Sequence, residues 1–465
     1  MLRPPATWAG VAAKEIAHAV RRGDTTAAEV VADHLDSIHA GDRMLNAFRE
    51  VRAEAAIAEA RAVDDRPDLG KLALAGVPVA VKENTPVAGL PTWNGSAEAR
   101  AAVADRDHDV VRRLRGAGAV VVGVTRMPEL GLWPITDDAT ATTYNPWRTD
   151  RSAGGSSGGA AAAVAAGLVP IAHGNDGLGS IRIPAACCGI VGIKPGRGVL
   201  PAGIGANDWF GLAEHGILAT TVADVTLGLG VLAGCVPQEL ESPARLRIAV
   251  SVRSPALGVR PDRAARRGLD DAARLLSSAG HETVPLDPHY PLSQSVRGLA
   301  TWFAAAYNDA DAAGLELDEL QPRTRRHVML GANAIRLGLV RGADRAEWRE
   351  RYRTWFIDNH IDVLVTPALA TAPPPARTWS NRSWSANVLA SIRYAPYAAP
   401  WNVAGFPAVV VPAGVRADRL PAAVQLVGPP GTELMLLGLA GQMEQLAPWR
   451  RHAPGWPKHT EVAEP

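Results

Sequence analysis

Ser152-Ala-Gly-Gly-Ser156-Ser-Gly-Gly159 leads into the apolar run Ala160–Gly167, then into Leu168-Val-Pro-Ile-Ala-His-Gly-Asn-Asp-Gly-Leu-Gly-Ser180-Ile-Arg-Ile-Pro184. Small residues crowd two separated serines. Glycine lets the backbone take φ > 0 and lets a ligand approach the main chain. Consecutive N–H groups in such a run can form an anion-binding nest. Gly177, Leu178, Gly179 and Ser180 could therefore offer donors to an oxyanion beside a serine hydroxyl. A flexible Gly/Ser linker would be polar on both sides. This stretch instead enters a helix-like apolar segment and meets a second glycine cluster, so it reads as a site.

Outward from it, elements alternate. Residues 10–40 read as two amphipathic helices and 51–63 as a third. Gly76–Lys82 is a short apolar strand ending in a cation, with Pro78 weakening its start. A helix over Asp107–Gly116 precedes a buried parallel strand, Ala119–Thr125. Farther on, a helix over Asp262–Ala279 precedes a strand at His281–Leu286. A helix around 345–359 leads to a strand at Ile361–Thr366. Strands at Val409–Val411 and Ala423–Val427 and a helix over Glu433–Leu446 follow. Such alternation predicts an α/β fold: one large domain, 1–465, with a central twisted mixed sheet and helices on both faces. Within it we expect an N-terminal helical segment (1–65), a catalytic core (66–235), a helical insertion near the cleft (287–355), a long loop at 366–385, and a C-terminal part of the core (356–447).

The glycine stretch resembles the amidase signature family. Gly154–Gly159 matches that family's Gly-Gly-Ser-Ser-Gly-Gly core, and Gly174–Ser180 followed by Ile181–Ala185 resembles its second segment. Thr125–Trp133, Tyr144–Trp147 and Pro400–Pro407 are similar to further family segments. The resemblance implies a Ser–Ser–Lys triad: Ser180 as nucleophile, Ser156 as proton relay, Lys82 as base. It also implies a cis Gly155–Ser156 peptide bond. The chemistry stands on its own as well. A serine hydroxyl needs a base to take its proton, and a lysine can be that base only when desolvation keeps it neutral. Lysine is scarce here, five of 48 Lys and Arg residues, so one that ends an apolar strand is informative. No other lysine is expected near these motifs.

Gly177, Leu178 and Gly179 are the expected oxyanion-hole donors. Leu178 stands where the family has glycine and Asn175 where it has threonine. A positive φ at Leu178 would be strained, and its side chain would narrow the pocket. Asp176 and Arg182 are expected to hold the loop as a structural ion pair, and His173, at a strand end, to be structural. Met127, Trp133, Trp209 and Trp401 are candidate apolar contacts for substrate. Thirteen tryptophans against five phenylalanines hint at a bulky apolar or aryl acyl group. The expected reaction is hydrolysis of a small carboxamide through an acyl-enzyme. The alternatives are an acyltransferase that forms amides with the same triad, or a non-catalytic member because of Leu178. Gly154–Gly158 also fits G-x-S-x-G, but that elbow needs a buried strand before the serine, and Arg148–Ala153 is polar.

Composition bounds the rest. The 465 residues are 47% hydrophobic and 20% charged, with formal net charge +1, so no basic face suggests nucleic acid. Cys187, Cys188 and Cys235 have neither metal-ligand spacing nor the number for a disulfide framework, and read as buried free thiols. The start, Met-Leu-Arg-Pro-Pro, lacks a leader's apolar core, and no apolar run is long enough to span a membrane. We expect a cytoplasmic protein without metal or cofactor whose partner is a small amide; a homodimer stays open.

Overall fold

The computed structural model describes residues 7–96, 103–138, 140–235 and 240–458, so the opening residues read for a leader lie outside the described residues. Thirteen strands are found among them: β1 Phe48–Val51, β2 Pro78–Lys82, β3 Val120–Thr125, β4 Tyr144–Asn145, β5 Arg148–Ser152, β6 Ile171–Asp176, β7 Val191–Lys194, β8 Glu214–Ala219, β9 Arg247–Val250, β10 Glu282–Pro285, β11 Val363–Pro367, β12 Ala408–Val415 and β13 Pro421–Val427. Eleven form one mixed sheet, in the order β1-β3-β2-β6-β8-β7-β12-β13-β11-β9-β10. β2 runs parallel to β3 and β6, whereas β8 and β7 run antiparallel to their neighbours. The sheet ties the first half of the chain to the last, which makes it one α/β domain.

Local sequence explains the central strands. β2 and β3 are continuous runs of small and β-branched residues, buried throughout, as strands covered on both faces must be. Pro78 is the first residue of β2, where a missing N–H disturbs the ladder least. The helix Gly158–Ala165 is entirely buried because its residues are small enough to lie between sheet and loops. Surface helices start at side-chain caps: Thr26 and Glu29 form a capping box for Ala27–Gly41, and Asp262 caps Arg263–Ser278.

Three expectations need correction. Part of 366–385 is ordered by packing, since Trp379 and Ser380 are buried in a short helical turn and a helix runs over Trp384–Tyr394. His173 lies inside β6, not at its end. Cys187 and Cys188 are buried, but Cys235 is exposed beyond a helix end. The elbow reading stays excluded: Arg148–Ser152 lies outside the large sheet, pairing with β4 in a hairpin and bridging Pro375 through Arg151, so Ser156 does not follow a central strand.

The helices Leu292–Ala312, Pro322–Arg336 and Gly342–Asp358 lie between β10 and β11. They contribute Trp302, Val328 and Trp348 to an apolar cluster shared with Leu132, Trp133 and Trp209. Among the described residues, no helix is long and apolar enough to cross a membrane, and no group of three or more His, Cys, Asp or Glu could hold a metal.

Candidate active site

Three segments converge at one end of the sheet: the end of β2, the loop before Gly158–Ala165, and the loop between β6 and the helix Arg182–Cys188. β2 ends in Lys82, fully buried. Its Nζ lies 2.7 Å from Ser156 Oγ, 2.8 Å from Asn175 Oδ1 and 3.4 Å from the Asn175 carbonyl oxygen. The Asn175 amide is oriented from behind, its Nδ2 donating to Asn84 Oδ1 at 2.8 Å. Burial pushes the Lys82 amine down to about 7, against the pull of Asp176 and Glu83. The Glu83 carboxyl is itself pushed up to about 7 by burial and accepts the Met127 N–H at 2.7 Å.

Ser156 is 1% exposed and follows a cis Gly155–Ser156 peptide bond, as the family resemblance implied. The neighbouring Ser157 N–H donates to the Ser180 carbonyl at 3.0 Å, which ties the two serine loops together. Ser180 is half-buried, and its hydroxyl has no hydrogen-bond partner among the described residues. Lys82 and Ser156 are thus joined directly, whereas Ser180 reaches the Ser156 loop through its carbonyl oxygen.

Ser180 is free because Asp176 does the capping. Its carboxylate accepts the N–H groups of Ile181 at 3.1 Å and Arg182 at 3.4 Å, leaving no orphan donors for a serine to cap. Arg182 closes on the same carboxylate through Nε and Nη2, both at 2.9 Å. Its remaining donors reach Ala398 O, Gln425 Oε1 and Asn402 Oδ1 at 2.9, 2.7 and 2.6 Å, so all five guanidinium N–H groups are engaged. Burial alone would raise the Asp176 carboxyl, but Arg182 outweighs it and holds it well below the carboxylate range. The expected structural ion pair is therefore present, with Asn402 and Gln425 as members that no local motif marked. Gln425 left a signal: it is the one amide side chain in the apolar strand Pro421–Val427.

The same carboxylate corrects the oxyanion assignment. Gly179 N–H donates to Asp176 Oδ1 at 2.6 Å and is not available to a ligand. The N–H groups of Gly177, Leu178 and Ser180 have no partner among the described residues. Leu178 is not among the non-glycine residues with positive φ; Gly179 takes that conformation, with φ 125°. The strain considered for Leu178 does not arise, and its side chain packs against the Trp133–Trp209 cluster.

The apolar candidates separate. A Cβ on Gly177 would lie 2.6 Å from the Trp209 ring, so that indole covers the oxyanion segment and only glycine fits beneath it. Trp209 Nε1 donates to Asp309 Oδ2 at 2.7 Å. A Cβ on Gly131 would lie 3.5 Å from Ser156 Oγ and 3.7 Å from Met127 Cε, which puts Met127 beside Ser156. The Trp133 indole packs edge-on to Trp302 and His327. Trp401 belongs elsewhere: it is fully buried in another cluster with Tyr352, Phe356 and Phe406, and serves packing. Two buried features escaped the sequence reading. His173 Nε2 and His215 Nδ1 pair at 2.8 Å. Lys194, at the end of β7, is near enough to act on Asp176 electrostatically, which overturns the expectation of a single nearby lysine. Lys194 Nζ donates to Pro195 O at 2.7 Å and touches neither serine.

The profile of the Amidase family matches residues 29–437. The AmiB2 protein of Mycobacterium tuberculosis is 40% identical over 459 residues, covering 96% of this chain and 98% of that protein. The acylamidase of Rhodococcus erythropolis is 32% identical, covering 96% and 97%. Among solved structures, 6-aminohexanoate cyclic dimer hydrolase complexed with substrate superposes with a TM-score of 0.87 at 27% identity, covering 96% of this chain and 99% of that one.

Proposed function

We propose, for a chain that belongs to the amidase signature family and hydrolyses amide C–N bonds, that Ser180 is the nucleophile, Ser156 the proton relay and Lys82 the base. The observation that carries this reading is the Lys82 environment. A neutral amine has two N–H donors and one lone pair. Asn175 offers two acceptors, Oδ1 and the carbonyl, at 2.8 and 3.4 Å, and the third neighbour is a hydroxyl, at 2.7 Å. In the neutral form the two N–H groups would satisfy Asn175 and the lone pair would take the Ser156 O–H, whereas in the protonated form Nζ donates to Ser156 Oγ. Burial without a carboxylate in contact favours the uncharged form, which can accept a proton.

The reaction then follows. Ser180 Oγ attacks the amide carbon while its proton passes to Ser156 Oγ, whose own proton passes to Lys82 Nζ. The oxyanion is stabilised by the N–H groups of Gly177, Leu178 and Ser180. Collapse expels the amine, which takes its proton back along the same path. Water next attacks the Ser180 ester, losing a proton to the relay, and releases the carboxylic acid. Asp176 and Arg182 stay charged throughout and hold the loop.

An apolar or aryl amide suits the Trp209 and Leu178 surfaces beside the oxyanion segment. Incubation with an aryl amide, followed by mass measurement of the intact and digested protein, tests the assignment. The expected result is an acyl adduct on Ser180, absent from Ser180→Ala. An adduct elsewhere, or turnover by Ser180→Ala, would refute it. A parallel incubation with added amine reports whether the ester is also passed to nitrogen.

A further inference from the structure

Gly211 lies two residues after Trp209, the ring that covers Gly177, and just before Leu212, whose carbonyl accepts Asn402 Nδ2 at 3.1 Å. Two guanidinium groups converge on this glycine. A Cβ there would lie 3.7 Å from Arg345 Cζ and 3.8 Å from Arg197 Nε. Arg197 is anchored by carbonyls alone: Nε donates to Gly211 O at 2.8 Å, and Nη2 to Asn402 O and Val403 O at 3.1 and 3.2 Å. Arg345 and Arg349 stand one turn apart on the helix Gly342–Asp358. Neither makes a hydrogen bond or ion pair among the described residues. On the same helix Arg351 and Arg353 both pair with glutamates.

Like charges gathered in a half-buried place repel, and an anion relieves them. Glu214 is the acid that acts on Arg197, but it also balances the buried Lys194 and accepts Gly198 N–H at 3.4 Å. Burial, and then Arg345, hold the Arg197 guanidinium below its usual range, which marks a local excess of positive charge. A guanidinium fork matches a carboxylate in shape as well as charge.

We propose that Arg197, Arg345 and Arg349 form a carboxylate-binding subsite, so that the preferred substrate is an amide with an apolar body and a carboxylate remote from the bond that is cut. This rests on the Ser180 reading of the site. The apolar body would lie along Trp209 and Leu178, and the carboxylate beyond Gly211.

Three substrates test it: hexanoic acid anilide, adipic acid monoanilide, with the carboxylate on the acyl side, and the hexanoyl amide of 4-aminobenzoate, with the carboxylate on the amine side. One carboxylate-bearing substrate should exceed the neutral anilide in kcat/KM by about tenfold or more, the size of one charge-assisted hydrogen bond. That ratio should collapse towards one in Arg345→Gln and in Arg349→Gln, and persist in the control Arg353→Gln. A wild-type ratio of one or below for both acids would overturn the proposal, as would an unchanged ratio in both variants. Turnover of the neutral anilide, and its loss in Ser180→Ala, reports on the Ser180 reading separately.

Discussion

Lys82 and Arg182 are both buried basic residues, 0% and 1% exposed, on opposite sides of Asp176 in the chain. Their neighbours differ in kind. Arg182 faces a carboxylate at 2.9 Å with every donor engaged. Lys82 is bonded to a hydroxyl and an amide, and no carboxylate touches it. Burial disfavours charge in both places, but only Arg182 has a counter-charge in contact. On the proposed reading, one basic group is scaffold and the other exchanges a proton.

The largest effects come from removing the exchanging side altogether. Ser180→Ala and Lys82→Met should lower kcat/KM by roughly 10⁴-fold or more, since members of a catalytic unit fail together. Steady-state assay on an anilide checks this, and a near-wild-type rate in either variant contradicts the contrast. Breaking the scaffold side should act on folding first. Arg182→Gln leaves Asp176 buried without its partner and should cost about 3–5 kcal/mol, measured by denaturant unfolding. A loss under 1 kcal/mol would mean that Asn402 and Gln425 carry the loop without the charge.

Asn175→Asp would convert the first region into the second kind. A carboxylate beside Lys82 should raise its pKa. In the wild type, kcat/KM should fall below about pH 7, because the protonated amine cannot accept, and level off above it. In Asn175→Asp the same limb should move to higher pH, with activity at pH 7 reduced and recovered in alkali. A pH–rate profile that stays in place would show that Asn175 does not set the base. The smallest change is expected at Leu178→Gly. It opens the surface next to Trp209 and should alter relative kcat/KM over a panel of amides by only a few-fold, about 1 kcal/mol or less. Identical kinetics across the panel would remove Leu178 from the pocket.

The two regions were not equally readable from sequence. Lys82, Ser156 and Ser180 stand in short motifs whose residue types are chemically unusual: a lysine ending an apolar strand, and serines among glycines. Asp176 and Arg182 were legible as a pair because six residues of chain bring them together. The rest of their shell is not local. Asn402 and Gln425 come from segments more than 200 residues away, and nothing in a one-dimensional pattern says which polar side chains meet. The same limit explains the tryptophans. Trp209 and Trp401 are alike in sequence, yet one covers Gly177 and the other fills a separate core. Gly179 was read as an oxyanion donor because glycine counting cannot tell which N–H a nearby carboxylate will take.

The central claim is that Lys82 is a neutral base at working pH. The chain has five lysines, so selective ¹⁵N labelling of lysine side chains gives a simple spectrum, and Lys82→Met identifies one signal by its loss. The account predicts that this Nζ titrates near pH 7, far below an exposed lysine. An Nζ that stays protonated up to pH 10, while the enzyme remains active at neutral pH, would contradict it.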